Sequence, residues 1–455
     1  MKKLITNANI ITNAEPNEIR TGFIGITNDE IVYVGKDFPK DFVGDARLAC
    51  VPSSKDNIQI VGATCSRPKG DNIAALPPNN CEIIDADGAI VMPGFVNAHT
   101  HIPMTLFRGV ADDLSLHDWL FNHIVPMERE LQPQDVYEGS KLALQEMIQS
   151  GTTCFCDMYF MVEQIRLATI ESGLRANLGV GLTSVSGGQP SDEKASRRIK
   201  EHNSLTPTDK IKIAVSPHAV YTSSPKWLKH YTTLGNLIHI HISETQKENQ
   251  DCIKEHGKTP TQLLKSLGYF QKEQTINAAH CVHLTDEDIQ IFAQSGASIT
   301  HCPSSNLKLA SGIAPIQKYI DAGINVALGT DGAASNNALD MFNEIRLAAL
   351  IHKGITGNPT AIPAQTAIEM ATINGAKALG REHEIGKIAK GYKADLIFIE
   401  TKSANMTPLA TSLCSAIAYS ASSKNLIHTM VGGETLFVGG GVLDAPKNKI
   451  LKECK

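Results

Sequence analysis

The residues best suited to chemistry are His99 and His101, which close the apolar run Pro93-Gly94-Phe95-Val96-Asn97-Ala98. Side chains alternate along a strand, so His-x-His puts both imidazoles on one face. There, two neutral ring nitrogens can share one metal ion. The motif alone is weak, but other residues reinforce it. His241 ends Leu237-Ile238-His239-Ile240-His241 and Glu244 follows three residues later; His280 ends Asn277-Ala278-Ala279-His280; Asp331 ends Val326-Ala327-Leu328-Gly329-Thr330-Asp331. Three imidazoles (His99, His101, His241) and the Asp331 carboxylate suit a divalent transition metal. Glu244 and His280 remain for proton handling. His239 shares the face of His241 one pleat deeper, and the Glu244 partner favours His241 as the ligand.

The elements that must position these residues form a recurring unit. Short β-branched segments at Ala89–Ala98, Thr152–Asp157, Leu174–Leu182, Ile211–Pro217, Leu237–Ser243, Thr275–Cys281, Ala297–Cys302 and Asn325–Asp331 alternate with stretches of helical periodicity. Eight such strands predict an α/β fold, a (β/α)8 TIM-like barrel. Most of them end in a polar residue: His99 with His101, Asp157, His218, His241, His280, His301 and Asp331. Strand C-termini of a parallel barrel converge on one face, so the barrel gathers a dispersed set into one site. Asp157 also has a plain reading as a structural acceptor, His301 as an organiser of the loop through Asn306, and His283 as a cap or surface residue. Cys154 and Cys156 read as one face of a buried strand.

The flanks differ. Residues 4–34 alternate as strands, and Gly391–Ile399, Leu426–Val431 and Thr435–Val438 are short glycine-bounded strands. The two chain ends are expected to pair in a small β-sandwich domain. The resulting division is 1–90 for the N-terminal part of that domain, 91–380 for the barrel and 381–455 for the C-terminal part. A segment at about 45–81, rich in Pro, Ser, Asn, Lys and Gly, reads as a loop insertion. A net charge of -5 offers no excess to neutralise phosphates, which argues against nucleic acid. No run of about 18 apolar residues predicts a membrane span. Asn7, Asn9 and Asn13 interrupt an N-terminus that otherwise mimics a signal start, and the ten scattered cysteines read as reduced thiols. A cytoplasmic protein is the expectation.

The constellation resembles the amidohydrolase superfamily, and within it the methylthioadenosine/S-adenosylhomocysteine deaminases and related chlorohydrolases, over nearly the whole chain. The strings that carry the resemblance are PGFVNAHTHIPMTLFRG at Pro93–Gly109, DWLFNHIVPMERE at Asp118–Glu130, SPHAVYT at Ser216–Thr222, HISET at His241–Thr245, HCPSSNLKLASGIAP at His301–Pro315 and GTDGAASNNALDMFNE at Gly329–Glu344. It implies one divalent metal ion, zinc with ferrous iron as the alternative, on His99, His101, His241 and Asp331. It implies that Glu244, His280 and Asp331 are catalytic, and that Trp119, Glu128, His218 and Glu244 face a nucleoside. Binuclear relatives carry a bridging modified lysine after the fourth strand. Ser216-Pro217-His218 holds no lysine, which supports one ion. The activity implied is hydrolytic deamination of 5'-methylthioadenosine, S-adenosylhomocysteine or adenosine. Relatives that take S-adenosylhomocysteine use arginines for its carboxylate. One such place is Val180 here, with Arg197 and Arg198 in what reads as a nearby loop. Guanine, an oxidised purine or a chlorinated triazine is the alternative substrate, and an inactive binding barrel the alternative class. A homo-oligomer is a further expectation of the resemblance.

Overall fold

The computed structural model describes residues 1–14, 17–39, 42, 81–186 and 188–439. In chain order the strands are β1 (Lys2–Ile11), β2 (Glu18–Thr27), β3 (Glu30–Gly35), β4 (Cys81–Asp85), β5 (Ile90–Pro93), β6 (Phe95–Thr100), β7 (Thr152–Tyr159), β8 (Arg175–Leu182), β9 (Val185–Ser186), β10 (Gln189–Pro190), β11 (Ile211–Pro217), β12 (Leu237–Ile242), β13 (Thr275–His280), β14 (Ser298–His301), β15 (Val326–Leu328), β16 (Leu396–Ile399), β17 (Leu426–Val431) and β18 (Glu434–Val438). They fall into two compact units, Met1–Gly94 with the chain from His383 onward, and Phe95–Glu382.

In the second unit β6, β7, β8, β11, β12, β13, β14 and β15 hydrogen-bond in that order, parallel throughout. Each parallel step needs a crossover, and helices supply them, from Pro133–Gln149 between β6 and β7 to Pro303–Lys308 and Ile316–Asp321 between β14 and β15. The first expected strand is in fact two. Pro93 lacks an N–H to extend a ladder, and Gly94 separates β5, which belongs to the first unit, from β6, which opens the barrel. The seam lies between β15 and β6, where the Asp331 N–H donates to the His99 carbonyl at 2.9 Å. Gly329 permits that approach, because a Cβ there would lie 2.9 Å from the His99 backbone nitrogen and 2.8 Å from Thr300 Cγ2.

Among its described residues the first unit holds one eight-stranded sheet, ordered β18-β17-β16-β5-β1-β2-β3, with β4 paired to β1. β1 serves two neighbours on one edge: Lys2–Thr6 pair with β4, while Asn9 and Ile10 pair with β5. Both chain ends therefore feed the same sheet, whose core includes Ile5, Ile10, Ile24, Val91, Leu396, Phe398 and Met430. The signal-like N-terminus is strand β1. The expected insertion at about 45–81 lies outside the described residues except for Cys81, the first residue of β4. Among the described residues no helix is long and apolar enough to cross a membrane.

The seam yields a test. Gly329→Ala is expected to destabilise the protein by about 1–3 kcal/mol, the usual cost of overpacking. Gly354→Ala, where a Cβ meets nothing within 4 Å among the described residues, is expected to be neutral or stabilising within its helix. Denaturant midpoints of the two variants check the difference in sign.

Candidate active site

Asn97, His99 and His101 share one face of β6 and its extension, as period two requires. β12 interleaves Ile238, Ile240 and Ile242 with His239 and His241. Asp331 follows β15. His99 Nε2 and His101 Nε2 each lie 3.3 Å from Asp331 Oδ1, and His241 Nε2 lies 3.3 Å from His101 Nε2. Two groups of donor atoms, His99 with His101 and Asp331, and His99 with His241 and His280, are each within 4.8 Å of one another and belong to buried residues.

The ring nitrogens are aimed inward by partners behind them. His101 Nδ1 is 2.5 Å from the Met158 carbonyl and His241 Nδ1 2.7 Å from the His218 carbonyl. A carbonyl can only accept, so each ring carries its proton on Nδ1 and turns a bare Nε2 lone pair to the centre. Burial pushes His99 down to about 4 and lowers His101 and His241 as well, which keeps the rings neutral. Burial alone would raise the Asp331 carboxyl. The adjacent His99, His101 and His280 rings outweigh it and hold that carboxyl well below its usual range. Asp331 Oδ2 also accepts from the Ser305 and Ser335 hydroxyls at 2.6 and 2.8 Å.

These features fit a divalent metal. His99 Nε2 is buried and makes no hydrogen bond among the described residues. An unpaired polar atom in a dry interior is costly, and a cation between facing lone pairs and a carboxylate removes that cost. Neutral imidazoles and a carboxylate are the donors such an ion takes.

Beside the cluster, Glu244 Oε2 lies 3.7 Å from His280 Nε2. Burial raises the Glu244 carboxyl against the pull of His280. Burial would lower His280, but the Glu244 and Asp331 carboxylates raise it overall. His280 Nδ1 is fixed by Asn306 Oδ1 at 2.8 Å. Ser243, His280 and Asp331 all have left-handed backbone, with φ of 51°, 70° and 62°. For residues other than glycine that conformation costs about 1–3 kcal/mol each and clusters at functional sites. It breaks the simple alternation of the strand ends and lets neighbouring side chains meet at the barrel mouth.

A cavity of about 1010 Å³ opens on this cluster, lined by His101, His241, Glu244, His280 and Asp331 and also by Trp119, Glu128 and His218. Trp119 is 5% exposed, and its indole nitrogen has no acceptor among the described residues. It opens a π-wound turn, Trp119–Ile124, that continues into Val125–Glu128. Burial pushes the Glu128 carboxyl up to about 7, against the Tyr159 hydroxyl and the charges of Arg198 and Lys194. His218 is pushed down to about 3, chiefly by burial, and its Nδ1 lies 3.3 Å from the Thr222 hydroxyl. Of the residues assigned to the site from the sequence, all line this cavity except His99, which is fully buried beside His101 and Asp331.

Arg197 and Arg198 lie on the helix Asp192–Ser204 rather than in a loop, and both line the cavity. Val180 is fully buried in β8. His301 does not organise Asn306, which bonds His280 instead; its Nε2 faces His352 Nε2 at 3.4 Å. His283 is neither a cap nor purely a surface residue, because its ring meets the Ser311 carbonyl at 2.7 Å. Asp157 accepts from the Ile102 N–H at 2.7 Å, just past His101.

Sequence reasoning missed Ser305, Ser335, Ser311 and Glu248. Glu248 is buried and accepts the Glu244 N–H at 2.8 Å, and its place four residues after Glu244 was a readable signal. Ser311, 3.4 Å from Glu244 Oε1, arrives from a distant loop and gave none.

The model of the Amidohydrolase family matches residues 90–436. A 5-methylthioadenosine/S-adenosylhomocysteine deaminase of Acetivibrio thermocellus is 41% identical over 444 residues, 95% of this chain and 93% of that protein. A 5'-deoxyadenosine deaminase of Methanosarcina acetivorans is 45% identical over 383 residues, 82% and 87% of the two chains. The crystal structure of an adenosine deaminase from Xanthomonas campestris with bound zinc superposes with a TM-score of 0.84 at 32% identity, covering 99% of this chain and 96% of that one. The chain belongs to the amidohydrolase family.

A ligand that binds only the folded protein stabilises it, by about 2.7 kcal/mol at 100 times its Kd. Adding zinc to the metal-stripped chain is therefore expected to raise Tm. His101→Ala is expected to abolish the rise, which a thermal melt with and without zinc measures.

Proposed function

We propose that this chain is a metal-dependent aminohydrolase that removes the 6-amino group of adenosine and 5'-substituted adenosines as ammonia. One observation carries the reading: the Glu244–His280 pair and the His99/His101/His241/Asp331 cluster open into the same cavity as Trp119 and Glu128. The names of the relatives support it.

His99, His101, His241 and Asp331 would hold one divalent ion, zinc by analogy with the zinc-bound relative. When bound, the ion supplies Lewis-acid activation of water near neutral pH. Asp331, kept ionised by its neighbours, takes a proton from the attacking water. His280, fixed at Nδ1 by Asn306, directs Nε2 at that water. Glu244, its carboxyl raised by burial, delivers a proton to ring N1 and so makes C6 electrophilic. The water oxygen bonds to C6, the C6–N6 bond breaks as Asp331 passes its proton to the departing nitrogen, and the proton left on the C6 oxygen returns to Glu244. Glu128 accepts the ribose hydroxyls, Trp119 packs on the nucleoside, and His218 meets the ribose or its 5' substituent. Arg197 and Arg198 supply positive charge for a carboxylate-bearing substituent. The small-molecule substrate and net charge of -5 agree with a cytoplasmic enzyme without nucleic-acid partners. Assembly as a homo-oligomer is part of the same reading.

Ammonia release from zinc-loaded protein, with 5'-methylthioadenosine, S-adenosylhomocysteine, adenosine and guanine in parallel, tests this. Fast turnover of at least one adenosine analogue is expected, with a loss of about 10²–10⁴-fold in Glu244→Gln, the usual share of general acid catalysis. Turnover of guanine alone would sink the substrate assignment.

The pH profile gives a second test. A carboxyl pushed up to about 7 is increasingly protonated below that pH and stops accepting from both ribose hydroxyls. KM for the nucleoside is therefore expected to rise as pH falls through about 7, and Glu128→Gln to have a high KM without that inflection.

A further inference from the structure

Behind His99 lie two buried groups, His239 and Cys156, that the proposed chemistry does not use. His99 Nδ1 is 2.8 Å from His239 Nε2, and His239 Nδ1 is 3.3 Å from Cys156 Sγ. All three residues are at most 1% exposed. The contrast with the other two histidines matters. His101 and His241 are backed by carbonyls, which can only accept. His99 is backed by an imidazole, which can accept or donate according to its tautomer.

Two arrangements are compatible with these distances. In one, His99 Nδ1–H donates to His239 Nε2 and His239 Nδ1–H donates to Cys156 Sγ, leaving a lone pair on His99 Nε2. In the other, Cys156 S–H donates to His239 Nδ1 and His239 Nε2–H donates to His99 Nδ1. The His99 proton then sits on Nε2, 3.3 Å from Asp331 Oδ1, and that nitrogen cannot ligate. The number of protons is the same in both, so the difference is tautomeric and requires no titration.

Resting on the metal site proposed above, we infer that His239 is a positioning residue of that site. Its Nε2 accepts a hydrogen bond from His99 Nδ1–H, and Cys156, whose Sγ accepts from His239 Nδ1–H, holds His239 in the tautomer that can accept. The strand pattern explains why this residue is available. His239 stands two before His241 on the inward face of β12, one layer deeper, and Cys156 reaches the same layer from β7. The partner behind a metal-bound histidine orients the ring and typically changes metal affinity by about 10–100-fold when removed.

Zinc affinity of the full chain, measured by competition with a chromogenic chelator, tests the inference independently of turnover. His239→Leu keeps the bulk and removes the acceptor; it is expected to weaken zinc binding by about 10–100-fold. His239→Gln, whose amide oxygen can accept from His99, is expected to recover most of that loss. Cys156→Ala, a one-atom truncation that spares the core, is expected to weaken binding in the same direction by a smaller factor. The Co²⁺-substituted proteins should show a ligand-field spectrum altered in His239→Leu and restored in His239→Gln. Native affinity in a folded His239→Leu, or in Cys156→Ala if His239→Leu does not fold, would overturn the relay. A native chain that binds no zinc would instead overturn the metal site itself.

Discussion

The structure turns on the crowding of ring nitrogens around one carboxylate at the buried floor of a cavity. Nε2 atoms of His101 and His241 face each other at 3.3 Å, and those of His99 and His101 each stand 3.3 Å from one carboxylate oxygen. Burial keeps the rings neutral, so they cannot satisfy one another by becoming charged. A folded chain tolerates such an arrangement when a cation compensates it, and the surrounding architecture prevents the rings from turning away. Carbonyls of Met158 and His218 lock two rings; Ser305 and Ser335 pin Asp331.

The barrel makes this affordable. Its hydrogen-bonded wall fixes the strand ends to which the donors are attached, and Gly329 lets the seam close tightly enough for Asp331 to bond the His99 carbonyl. Left-handed backbone at Ser243, His280 and Asp331 stores strain where the chain leaves the strands. Glu244 and His280 meet there at 3.7 Å, beside the cluster.

Much of this was legible in the sequence because period two and parallel topology are strong constraints. His99, His101 and His241 could be assigned to one face before any coordinates, and the barrel explained why His280 and Asp331 should join them. What stayed illegible depends on long-range closure. Nothing local shows that Ser311 reaches Glu244, that His301 turns to His352 and leaves Asn306 to His280, or that Arg197 and Arg198 ride on a helix facing the cavity. The division of Ala89–Ala98 between two sheets was hidden because both halves are apolar; only Pro93 and Gly94 mark the junction. His239 competed with His241 in the sequence because both face inward, and the structure separates them by depth.

The central claim is that one divalent ion occupies the His99/His101/His241/Asp331 cluster. Elemental analysis of the dialysed, zinc-reconstituted chain tests it most directly, read against a His99→Ala/His241→Ala double variant. The account predicts one zinc per native chain and none in the variant. Two ions per native chain, none, or a variant that keeps its zinc would contradict it.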